Sequence, residues 1–219
     1  MEAVKYHFAF PDGRRENINL TFSPDMIVAE RQEAPWTTLS FHRCDHCPLP
    51  QSGVCPFAAA LAPFLSRFDS YYSYEPVSVL VVTDRRTITA DLALQHGLAS
   101  LIGLVGATSG CPHLAFFRPM ARSHLPFATE HETLMRAFSI HMLRRYFAGG
   151  RNAMVDVALP DLQACYQDAM IVNRGMADRL RAAFKRDAAV NAIVTLDTFA
   201  QAVPFLVEEK LDELVDEFR

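Results

Sequence analysis

Val4-Lys5-Tyr6-His7-Phe8-Ala9-Phe10, then Pro11-Asp12-Gly13, then Asn17-Ile18-Asn19-Leu20-Thr21-Phe22 is the stretch that decides the fold class. Both flanking runs alternate apolar and polar residues, which is the period of a strand with one buried face. Proline presets the backbone for a turn, and aspartate and glycine supply the turn conformations that other residues resist. The stretch predicts a β-hairpin. Met26–Glu30 and Thr37–Phe41 extend the pattern as two further short strands. Val77–Val82 is an unbroken β-branched and aliphatic run, the signature of a strand buried on both faces. Asp84-Arg85-Arg86 then turns the chain, and Thr87–Thr89 is a short return strand.

Helical spacing takes over after about residue 90. A first helix is already expected from Pro56 to about Phe68, with Leu61, Phe64, Leu65 and Phe68 on one face and Pro63 as a kink. Asp91–Val105 carries Leu92, Leu98, Leu101, Ile102 and Val105 at helical intervals, and glycines at 97, 103, 106 and 110 permit close backbone approach. Thr129 and Glu132 form a capping box that opens a helix to about Phe147, stopped at Gly149-Gly150. Pro160 to about Lys185 predicts a long helix with Leu162, Cys165, Tyr166, Val172, Met176, Leu180 and Phe184 inward. Asp187 is positioned to cap the last helical region, Pro204 to kink or divide it, and Val207, Leu211, Leu214 and Phe218 to form its final stripe. Strands before residue 90 and helices after it argue for an α+β fold: a small N-terminal antiparallel sheet followed by a mainly helical region, in one unit of residues 1–219.

The 219 residues are half hydrophobic, with a net charge of −4 and a pI near 6.0. Basic residues occur in scattered pairs, so a nucleic-acid partner is not expected. Leu92–Val105, the longest apolar run, is broken by Gln95, His96, Gly97 and Gly103, so no membrane span is expected either. The first residues lack the apolar core of a signal peptide, and a cytoplasmic location is the reading. Thiols are mostly reduced there, and clustered cysteines then point to metal or redox chemistry rather than disulfides.

The clustering is specific. His42-Arg43-Cys44-Asp45-His46-Cys47-Pro48-Leu49 holds a Cys-x-x-Cys pair, Cys55-Pro56 follows, and Ser109-Gly110-Cys111-Pro112-His113 lies far downstream. Proline after a cysteine suits the first position of a helix, which puts the sulfur at the N-cap, facing unpaired N–H groups and the positive end of the helix dipole. Cys44, Cys47, Cys55 and Cys111 together supply the four thiolates of a closed zinc site or an iron–sulfur cluster. Zinc, a cluster and no metal at all stay open as readings. His42, His46 and His113 read as residues behind the ligands or as alternative ligands. His96, His124, His131 and His141 read as satisfied helix or loop residues, and the lone Cys165 as a small apolar one. A second constellation, Arg118, Arg122 and His124 among Phe116, Phe117 and Phe127, suits an anion pocket, although a surface turn plugged by its aromatics explains it as well.

The motifs His42–Leu49, Cys55-Pro56, Ser109–Pro112 and His124-Leu125-Pro126-Phe127 resemble a family of uncharacterised bacterial proteins of unknown function. The resemblance spans roughly residues 36–147 and implies a bacterial cytosolic origin; no catalytic residue carries over. The leading expectation is a metal-binding cytosolic protein. A thiol-redox enzyme or sensor using Cys44 and Cys47 is one rival. A homodimer joined through its acidic, amphipathic C-terminal helices is another.

Overall fold

The computed structural model describes residues 3–149 and 159–209. The hairpin forms as read: strands β1 (Ala3–Ala9) and β2 (Arg15–Thr21) pair antiparallel, with Val4 opposite Leu20 and Tyr6 opposite Ile18. At the turn, Gly13 adopts φ 91°, and Phe10 N–H bonds the Arg14 carbonyl at 3.0 Å. Helix α1 (Pro56–Leu65) follows, and then strands β3 (Pro76–Thr83) and β4 (Thr87–Ala93). The sheet order is β2-β1-β3-β4, antiparallel throughout. The rest is helical: α2 (Leu94–Thr108), α3 (Arg118–Arg122), α4 (Glu130–Gly149), α5 (Leu159–Ala183) and α6 (Ala188–Glu209). The fold is α+β.

One face of the sheet holds the core. Val4, Tyr6, Phe8, Ile18, Leu20, Val77, Val79 and Val81 are all buried. Helix α2 lies against that face closely enough that a Cβ on Gly97 would stand 3.0 Å from Val79 and 3.1 Å from Phe8. α6 packs on α2, and α5 and α4 pack on α6. A smaller cluster of Phe116, Leu134, Leu162, Tyr166 and Val203 fills the space among the helices.

The structure corrects parts of the sequence reading. β3 is not buried on both faces: Ser78 and Leu80 are exposed, because an antiparallel sheet needs helices on only one side. β4 runs on to Ala93, so α2 begins at Leu94 rather than Asp91. Residues 26–30 and 37–41 are not strands. Each keeps only an isolated bridge, Phe22 with Val28 and Thr38 with Val54, and Met26 sits at φ 59°, outside strand geometry. α1 ends at Leu65 and a 3-10 turn completes the stretch to Phe68. Pro63 is accommodated within α1: the carbonyl of Ala59, which proline cannot bond, accepts the N–H of Gln32 at 2.9 Å. α6 runs through Pro204 undivided. The Asp187 carboxylate turns to Ser73 and Asn191, while its carbonyl accepts the Asn191 N–H at 2.8 Å. The capping box forms as read, with Glu132 N–H bonded to Thr129 Oγ1 at 3.2 Å and Thr129 N–H to Glu132 at 2.8 Å. Leu211, Leu214 and Phe218, and the side chain of Val207, lie outside the described residues. No single helix among the described residues is long and apolar enough to cross a membrane.

Candidate metal centre

The loop before α1 is stitched by its own backbone. Leu39 N–H bonds Gly53, Cys55 N–H bonds Thr37 at 2.8 Å, and Cys47 N–H bonds Cys44 at 3.2 Å. Arg43 folds back over the loop and donates to the carbonyls of Cys47, Leu49 and Pro50. Cys55 stands at the N-cap of α1 with extended backbone and Pro56 at the first helical position. Cys111 stands in the same way before Pro112, at the start of a 3-10 turn over Pro112–Phe117. Gly110 before it sits at φ 84°, a conformation that glycine adopts without strain. Neither sulfur makes a capping hydrogen bond; both cysteines are buried.

The fold brings Cys111 to the 44–55 loop. His113 Nε2 donates to the His46 carbonyl at 3.1 Å, and the two imidazoles stack with centroids 3.9 Å apart. Burial pushes the Cys44 thiol up to about 11, and the neighbouring charges of Cys55, Cys111 and Cys47 push the same way. Burial also raises Cys111 to about 11; the amides of Leu114 and His113 face its sulfur and offset part of the rise, while Cys55 and Cys47 add to it. These four thiols therefore share one electrostatic neighbourhood. They are spread out within it: no three of their sulfurs lie within 4.8 Å of one another.

Helix α5 forms the back wall, and nothing in the local sequence announces it. A Cβ on Gly175 would stand 3.0 Å from Cys44 Sγ, so any larger residue would press on this sulfur. Arg179 is fully buried and donates to the carbonyls of Trp36 at 2.8 Å and Thr38 at 2.6 Å. Its positive charge favours the Cys44 thiolate. Asp168 lies between two of the predicted histidines, 3.0 Å from His46 Nε2 and 2.9 Å from His113 Nδ1. His42 adopts φ 44° and packs its ring against Phe41. Cys165 stands apart on α5, half-buried beside the smaller helical cluster.

Arg118, Arg122 and His124 take separate environments. Arg122 donates to the Pro24 carbonyl at 3.0 Å, and Arg118 keeps a buried Nε without a partner. His124 lines a cavity of about 540 Å³ under α2, together with Ser100, Arg136, Tyr166 and many apolar side chains. Burial holds His124 down at about 3, with the nearby Arg136 charge contributing, so its ring is neutral. Tyr6 OH lies 2.5 Å from His124 Nε2 and 3.0 Å from Ser100 Oγ. Arg136, absent from the predicted pocket, is the cation at this cavity; it donates to the carbonyls of Met120 and Ser123.

Comparison with curated proteins and with solved structures finds no match. A family model does match, over residues 4–219, and so covers the sheet, the cysteine loop and every helix described above: the chain belongs to the family described as a domain of unknown function, DUF6901.

Proposed function

We propose that Cys44, Cys47, Cys55 and Cys111 hold an iron–sulfur cluster. The observation that carries this reading is the approach of Cys111, fifty-six residues beyond Cys55, to the 44–55 loop, with both sulfurs at Cys-Pro helix starts. Burial and the neighbouring sulfurs raise the Cys44 and Cys111 thiols, and a cation that holds them as thiolates removes that penalty.

The sequence favours a cluster over a single ion: the cysteines are irregularly spaced, Cys-Pro dipeptides recur, and the second Cys-x-x-Cys pair of a zinc ribbon is missing. Within the redox rival, Cys44 is the poorer attacking thiol, because a reactive thiol needs a lowered pKa and burial pushes this one to about 11. His42, His46 and His113 then stand behind the ligands.

The test is an absorption spectrum with iron and sulfide analysis of protein purified without oxygen. Brown protein absorbing near ~400 nm, with about four irons per chain, and loss of both on Cys55→Ala or Cys111→Ala, is expected. Colourless wild-type protein with one zinc per chain would replace the cluster by a zinc centre. Protein without either metal would refute the site.

A further inference from the structure

We propose a second, separate metal site: His46, His113 and Asp168 bind one divalent first-row transition ion beside the cysteine centre. Among the described residues, this is the one trio of His, Cys, Asp or Glu whose ligand atoms all lie within 4.8 Å of one another. The three come from different places: the cysteine loop, the turn after Cys111, and α5.

The hydrogen bonds of His113 orient its ring. Its Nε2 donates to the His46 carbonyl at 3.1 Å, because a carbonyl can only accept, and this leaves Nδ1 facing Asp168 Oδ2 at 2.9 Å. A ligating histidine fixed through its other nitrogen by a backbone carbonyl is the usual arrangement around protein metals. His46 Nε2 approaches the other oxygen of the same carboxylate at 3.0 Å, while its Nδ1 is buried without a partner. Two donors on one ion with bonds of about 2.0–2.2 Å stand roughly 3–3.6 Å apart, which these spacings approach. Two imidazoles and a carboxylate suit Fe²⁺, Zn²⁺ and their neighbours, and three protein ligands leave coordination positions open. The side chains are 29%, 16% and 42% exposed for His46, His113 and Asp168, so an ion and its waters have access.

Mn²⁺ is the probe, because it takes nitrogen and oxygen donors and avoids thiolates. Loss of the free-ion electron paramagnetic resonance signal on titrating protein into Mn²⁺ counts the bound ions. One equivalent per chain is expected, displaced by Zn²⁺, which binds such donors more tightly. Asp168→Asn and His113→Gln should each weaken binding at least tenfold. Wild-type protein that carries no metal at its cysteines should bind Mn²⁺ all the same, so failure of the cysteine reading leaves this result standing. If circular dichroism shows either variant misfolded, His46→Gln takes its place. Wild-type protein that binds no Mn²⁺ or Zn²⁺ outside the cysteines overturns the site, as does binding unchanged in the folded variants.

Discussion

At the scale of single residues, His124 illustrates how burial sets chemistry. Its ring accepts from Tyr6 OH at 2.5 Å inside an apolar cavity, and burial holds its pKa at about 3 against an ordinary value of 6.5. The unfolded chain therefore takes up a proton first as pH falls. Stability from this group is present above about pH 6.5 and is lost between there and pH 3. Urea midpoints at pH 7 and pH 4.5 should fall further in wild type than in His124→Gln. The variant itself should be weaker at pH 7 by about 1 kcal/mol for the lost hydrogen bond. Equal slopes in the two proteins would remove His124 from the acid response. The cysteines were legible from sequence because Cys-Pro is a local instruction, a helix start with sulfur at its cap. Asp168, Gly175 and Arg179 were not, because each is an ordinary residue on an ordinary helix. Their meaning arises only when α5 is laid against a loop more than a hundred residues earlier.

Two glycines within one element, α2, give opposite expectations. A Cβ at Gly97 would meet Val79 at 3.0 Å, Phe8 at 3.1 Å and Leu92 at 3.3 Å, all packed into the core beneath the helix. Gly97→Ala should destabilise by about 1–3 kcal/mol despite its better helix propensity. A Cβ at Gly103 would meet only Leu196, at 3.5 Å, an ordinary contact. Gly103→Ala should be neutral or stabilising by up to about 1 kcal/mol. Paired denaturant titrations check both, and the same sign for the two would count against the close approach of α2 to the sheet. In α5, Arg179→Met strands the carbonyls of Trp36 and Thr38 and should cost roughly 2–4 kcal/mol by the same measurement. The hairpin, the helix starts and the capping box were readable because each is encoded within a few residues. The extent of β4, the open face of β3 and the irregular 26–41 segment were not, since each depends on what packs alongside. Val77–Val82 reads as doubly buried by composition, yet Leu80 is exposed because none of the described helices covers that side of the sheet.

For the whole molecule, the four cysteines occupy the junction of parts that the backbone joins only distantly. Cys44 and Cys47 belong to the loop, Cys55 begins α1, Cys111 follows α2, and α5 closes the back at Gly175. The core cluster of Tyr6, Phe8, Val79 and Leu98 takes in Cys55 and Cys111, but no strand of the sheet and no position of α2 is itself a cysteine, so the contact between them is made by other side chains. The loop, by contrast, is largely irregular and held by a few backbone bonds and by Arg179. Emptying the centre should therefore act unevenly. Four free thiols would replace four thiolates that a metal had neutralised, and segments tied together only there lose a shared anchor. Hydrogen exchange on protein stripped of metal by chelator under reducing conditions should quicken by at least tenfold in residues 37–55 and 111–117 and in α5 near Gly175. Amides of β1, β3 and α2 should keep their protection within about twofold. Uniform loss across the sheet would mean that the centre supports the whole fold, and no change anywhere would mean that the sulfurs hold nothing that the packing does not already hold.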